Sequence, residues 1–234
     1  MPAPRRDAAV PPAAPRLPWS GLLALACAGF VTILTETLPA GLMRAMAAGL
    51  QVEAAWIGQL VSVYALGSLL AAIPLTTATR RLRRRPLLLA IAGFAVANMV
   101  TAISDDYALI LAARLLAGVS AGLLWALLAG HASRMAAPAQ QGRAIAVAMI
   151  GTPLALTLGI PAGTLLGQHL GWRWAFGAMS LLSLVLLVWV RATVPDFAGQ
   201  ATQAQLPLRR VLALPGVGQV LATLLPFVLA HNLL

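Results

Sequence analysis

Long apolar runs separated by short polar loops set the pattern of this chain. A helix that crosses a bilayer needs about 20 apolar residues. Runs of that kind cover residues 18–43, 54–77, 86–103, 107–130, 144–166 and 172–190. A hydrophilic stretch follows at 191–210, and a last apolar run, containing Pro215 and Pro226, fills 211–234. The pattern predicts a disordered cytoplasmic tail over residues 1–17, rich in Pro, Ala and Arg, and a bundle of six transmembrane helices over 18–190. A cytoplasmic linker over 191–210 and a seventh transmembrane segment over 211–234 complete the expectation. Arginines ahead of the first run also suit a signal peptide, but that run continues for about 20 residues, which fits a span better than a cleaved segment. The expected class is an all-α membrane protein.

Composition supports this class: 60% of residues are hydrophobic and 9% are charged. The 16 basic side chains are all arginine, against six acids, a net charge of +10. Such a charge suits nucleic acid, but the arginines sit in short loops between apolar runs, so topology explains them better. Counting along the chain, one set of loops holds Arg5, Arg6, Arg16, Arg80, Arg81, Arg83, Arg84, Arg85, Arg134, Arg143, Arg191, Arg209 and Arg210. The alternate set holds only Arg44 and Arg173, with Glu53, Asp105 and Asp106. By the positive-inside rule the N-terminus is cytoplasmic and the chain a multi-pass protein of the inner membrane. Trp19, Trp56, Tyr107, Trp172, Trp174 and Trp189 fall near predicted span ends, where an interfacial aromatic belt is expected. The single Cys27 and the scattered His131, His169 and His231 give no disulfide and no metal-ligand spacing. Neither a cofactor nor an enzyme is expected, because no nucleophile–base pair is visible.

Charge inside a span carries the chemical information. Arg114 lies in the middle of LILAARLLAGVSAGLLWALL (109–128). Placing it against lipid costs a few kcal/mol or more, so it is expected to face protein or water, unless it snorkels to a headgroup. At 100° per residue Arg114, Gly118, Ala121, Gly122 and Trp125 share a face. The small residues let a neighbouring helix come close or leave space beside the arginine, and Trp125 is a candidate cavity wall. Glu36 is about 10 Å from the outer end of the first span, and Arg114, on a helix of opposite direction, is at about the same depth. The two could pair or line one pathway, and Glu36 could load and release a proton; alternatively Glu36 is solvated near the interface and inert. The fifth span repeats Gly159, Gly163 and Gly167 every four residues, a strip for close packing, and Pro153 and Pro161 favour a bend. Together they suit a helix that rocks or seals against a partner. The block TRRLRRRP (79–86) anchors topology and contacts anionic lipid, or pairs with acids and helix C-termini to hold one conformation. Thr32, Thr35, Gln59, Ser62, Tyr64, Asn98, Thr101, Thr152 and Thr157 are weaker candidates, expected to hydrogen-bond neighbouring helices.

Four stretches in order resemble the major facilitator superfamily, and within it the bacterial drug–proton antiporters of sugar- and arabinose-efflux type. TETLPAGLM (35–43) looks like the end of that branch's first helix. YALGSLLAAIPLTTATRRLRRRPLLL (64–89) resembles its second helix and arginine-rich turn. ARLLAG carries Arg114 and Gly118 of the fourth-helix arginine motif, and GIPAGTLLGQHLGWRWAF (159–176) resembles the antiporter motif of helix five. In the turn, Arg80, Arg83 and Arg84 match G-x-x-x-D-R-x-G-R-R, whereas Leu75, Thr79 and Leu82 replace the glycines and the aspartate. Ala117 replaces a frequent Gln, and the usual Gly-Pro pair is split as Gly159-Ile160-Pro161.

The resemblance implies the six-helix N-terminal bundle of a major facilitator fold. Helices one and four would line a cavity, two and five would face another half, and three and six would pack outside. Arg114 would be tied to proton coupling and substrate binding, and Glu36 and Trp125, chosen above by depth and helix face, would join it in the coupling site and cavity. Arg80, Arg83, Arg84, Gly159, Pro161 and Gly163 would form conformational motifs. The implied activity is proton-coupled efflux of small organic molecules, sugars or drugs, by alternating access. The alternative is a truncated, non-transporting membrane fragment. The implied partners are the lipid bilayer, a small-molecule substrate and protons, with a missing C-terminal half or a second copy completing the pathway.

Overall fold

The computed structural model describes residues 17–79, 84–197, 210 and 214–233. The expected tail over 1–17 falls almost wholly outside the described residues, as do most of the expected linker, Arg80 and Arg83. The chain divides into two compact units, Met1–Ala198 and Gly199–Leu234. Within the described residues every regular element is helical.

The first unit holds α1 (Trp19–Gly41), α2 (Met43–Leu50), α3 (Ala54–Thr79), α4 (Arg85–Ile103) and α5 (Tyr107–Arg134). A 3-10 turn at Pro138–Gln140 leads into α6 (Gln141–Met149), α7 (Gly151–Leu154), a π turn (Ala155–Gly159), α8 (Ile160–Leu170) and α9 (Trp172–Thr193). Among the described residues six helices are long and apolar enough to cross a membrane, with Pro138–Leu170 counting as the fifth. The second unit contains α10 (Val217–Leu233), a 17-residue helix with Pro226 inside it.

Local chemistry sets the boundaries. Asp106 caps α5, its Oδ1 accepting the Ala108 N–H at 2.8 Å. Gly171, at φ 98°, makes the reversal between α8 and α9, a conformation that favours glycine. The fifth span is not one regular helix. Pro161 has no N–H for the Thr157 carbonyl, and the turn widens so that Ile160 N–H reaches back five residues to the Ala155 carbonyl. The bend expected from Pro153 and Pro161 is therefore a π turn between them. The short α2 lies in what the sequence pattern treats as a loop.

The core runs along α1, the most buried of the six spans. α3 packs along α5, and α4 packs against both α5 and α9. Close approach is built into the glycines. A Cβ on Gly118 or Gly122 would strike the backbone of Tyr64 or Ser68 on α3. Of the two outcomes open for these small residues, tight packing is realised, with no space left at them. The strip of the fifth span faces α1, with Gly159 on Phe30 and Leu34, Gly163 on Leu38 and Gly167 on Leu42. α3 and the fifth span are the least buried, 28% each against 56–67% for α1, α4 and α5.

The ends of the first unit differ in charge. At one end Arg84 reaches the last turn of α9, Trp189 bonds to Ser20, and Arg143 stacks on Trp19. At the other, Arg173 forms an ion pair with Asp105, and Tyr107 stacks edge-on against Trp56. Trp19, Trp56 and Trp174 are exposed as a belt requires. Trp172 departs from that expectation. It is buried, its indole packed edge-on against Phe176 and lying over Gly49, because the glycine leaves room for a ring.

Candidate functional site

A proline on α1 organises the polar centre of the bundle. Pro39 has no N–H to offer the Thr35 carbonyl four residues earlier, so that carbonyl needs another donor. Arg114 on α5 supplies one, its Nη2 donating to the Thr35 carbonyl at 2.6 Å. The guanidinium also lies over the Tyr64 ring of α3, 5.0 Å from its centroid, a cation–π contact that strengthens as water is excluded. Tyr64 is fixed in turn, its hydroxyl donating to the Thr32 carbonyl at 3.1 Å. Asn98 on α4 donates from Nδ2 to Thr35 Oγ1 at 3.1 Å. Three helices, α3, α4 and α5, thus converge on one turn of α1.

Arg114, Thr35 and Asn98 are completely buried, and Tyr64 is 1% exposed. Arg114 therefore does not snorkel. Within this network Arg114 Nε and Nη1 and Asn98 Oδ1 have no hydrogen-bond partner. Buried polar atoms are seldom left unpaired, and the exceptions call for an explanation. Here two donors on a fixed cation and one acceptor remain available to a ligand, a water or a moving side chain.

Glu36 is half-buried, one residue from Thr35. It forms no ion pair with Arg114, yet each feels the other's charge, and Glu36 also acts on Tyr64. Of the two arrangements open from sequence, direct pairing is absent and shared surroundings remain. Trp125, about three turns along α5 from Arg114, is half-buried and lies near Gly29 of α1. It is thus in the α1–α5 seam, away from the guanidinium contacts.

The conformational candidates lie elsewhere. Arg84, the one expected motif arginine among the described residues, donates from Nη1 to the Arg191 carbonyl at 2.9 Å and to the Val194 carbonyl, while its backbone N–H donates to Asp196 Oδ1 at 3.0 Å. It caps the C-terminal end of α9, where unpaired carbonyls carry partial negative charge. Gly159 and Gly163 hold the fifth span against α1, and Pro161 opens α8. Sequence reasoning ranked Tyr64, Thr35 and Asn98 low and did not single out Pro39. The available signal was the pairing of an intramembrane proline with the carbonyl four residues before it.

A bundle of apolar helices closed around a buried arginine has the form of a polytopic membrane protein. Comparison with family models matches residues 25–233 to the Major Facilitator Superfamily, and the chain belongs to that family. It is 34% identical over 194 residues to a chloramphenicol efflux pump of Mycobacterium tuberculosis, the match covering 80% of this chain and 47% of that protein. Among solved structures it is similar to the peptide transporter POT in complex with sulfate, with a TM-score of 0.69 and 17% identity over 91% of this chain and 46% of that one. It is also similar to the proton:xylose symporter XylE bound to 6-bromo-6-deoxy-D-glucose, with a TM-score of 0.67 and 15% identity over 77% of this chain and 45% of that one. The chain spans about half the length of these relatives.

Proposed function

We propose that the chain forms the N-terminal bundle of a proton-coupled exporter of small organic molecules, drugs or sugars, working by alternating access. The carrying observation is Arg114, wholly buried inside α5, about 10 Å from its outer end, with two donors unpaired. A buried cation inside a span is costly to desolvate, which makes it a functional-site candidate by default. Glu36, next to Thr35 on α1, is the proton carrier: a carboxylate that is neutral when loaded and anionic when empty changes the field at Arg114 with each proton bound. The efflux assignment is supported by the 34% identity to the chloramphenicol pump. The protein is of the inner membrane with its N-terminus inside, an orientation that the positive-inside rule supports through the helix ends carrying Arg84, Arg134, Arg143 and Arg191.

α3 and the fifth span are the least buried of the six, 28% each, and this supports a second bundle as partner, either a C-terminal half or another copy of this chain. Alternating access requires two bundles to rock about one site. The alternative, a membrane fragment that moves nothing, separates cleanly by assay. Everted vesicles from cells expressing the gene should take up chloramphenicol when a proton gradient is imposed, and Glu36→Gln should abolish the uptake. Uptake no greater than in control vesicles would leave the non-transporting reading standing.

A further inference from the structure

An apolar groove of about 440 Å³ runs between α4 and α9 on the outside of the bundle, away from the Arg114 network. α4 lines it with Leu88, Leu89 and Ala92, α9 with Leu187 and Val188, and Arg85 and Arg191 stand at its arginine-rich end. Leu89 and Val188 are 62% and 69% exposed. Both side chains are exposed, and neither guanidinium makes a hydrogen bond or ion pair with any described residue, the Arg191 carbonyl alone being taken by Arg84.

From Arg85 to Ala92 is seven residues, about 10 Å of helix, so the groove reaches from the interface into the hydrocarbon layer. We infer that the groove is a binding site for an anionic phospholipid, its phosphate held between Arg85 and Arg191 and the upper part of an acyl chain lying along Leu88, Leu89, Leu187 and Val188. Two cations over a wholly apolar slot match a molecule with an anionic head and a hydrocarbon tail, and basic pockets between helices are a recognised mode of lipid recognition.

The surroundings favour the anion. The carbonyls at the end of α9 would repel a phosphate, but Arg84 covers those of Arg191 and Val194. The nearby carboxylate, Asp196, accepts the Arg84 N–H through Oδ1. Guanidinium groups bind phosphate through two parallel N–H donors, which an apolar groove alone cannot do.

The test is native mass spectrometry of the purified protein in detergent, titrated with phosphatidylglycerol or phosphatidylcholine. Wild type should retain phosphatidylglycerol in preference to phosphatidylcholine. Losing two interfacial arginines in Arg85→Gln/Arg191→Gln should weaken phosphatidylglycerol retention roughly 25- to 30-fold. Both side chains are exposed, and far-UV circular dichroism checks that the variant is helical. Ala92→Phe fills the groove, keeps both charges and the topology, and should also lower retention. Equal retention of the two lipids, unchanged retention in either variant, or displacement of the lipid by soluble glycerol phosphate at comparable concentration would overturn the inference.

Discussion

Arg114→Leu and Pro39→Ala, made singly and together, isolate the contact on which the polar centre is built. Arg114 Nη2 lies 2.6 Å from the Thr35 carbonyl, and Pro39 cannot supply that carbonyl with the usual helix donor. Arg114→Leu strands a fully buried carbonyl, at a cost of about 1–3 kcal/mol. The same substitution removes the two unpartnered donors Nε and Nη1, a relief of similar size and opposite sign. The single variant's net change is therefore small and uninformative. Pro39→Ala returns an N–H to the position four residues after Thr35, so in that background Arg114→Leu strands nothing. The two substitutions should couple by about 1–2 kcal/mol, with Arg114→Leu less damaging beside Pro39→Ala. Unfolding of the four proteins in mixed dodecyl maltoside and SDS micelles, followed by circular dichroism, measures the coupling. Independent sites add within about 0.5 kcal/mol. A coupling inside that limit, or of the opposite sign, would refute the reasoning.

Other elements give sharper single outcomes. Gly118→Ala drives a methyl into the Tyr64 backbone and should destabilise by about 1–3 kcal/mol, whereas Gly130→Ala on the same helix meets nothing within 4 Å and should be neutral or stabilising by up to about 1 kcal/mol in the same micelle assay. Arg84→Gln should uncap α9 and speed amide exchange across residues 190–194 roughly two- to fivefold, read by hydrogen–deuterium exchange. Thr35→Val and Asn98→Leu should couple by about 0.6 kcal/mol, the usual size for an interhelical hydrogen bond in a membrane, in a double-mutant cycle.

The spans were legible because hydrocarbon leaves the backbone no alternative to a helix, so long apolar runs map directly to α1, α3, α4, α5 and α9. Periodicity placed Arg114, Gly118 and Gly122 on one face, but it could not tell that the glycines abut the α3 backbone, since that depends on which helix arrives there. Trp172 shows the same limit. Its position at a span end suggests a headgroup, and only the groove over Gly49 explains its burial. The π turn lay hidden because hydropathy is blind to a missing N–H, although Pro161 was in view. The Arg114–Thr35 contact was the hardest part to read. It joins residues 79 positions apart, and its cause, Pro39, is an apolar residue in an apolar run.

Proton movement on substrate addition tests the central claim most directly. In proteoliposomes with an internal pH dye, wild-type protein should couple chloramphenicol entry to proton exit. Glu36→Gln should still exchange labelled chloramphenicol across the membrane while moving no protons. Proton movement by Glu36→Gln equal to wild type would contradict the account.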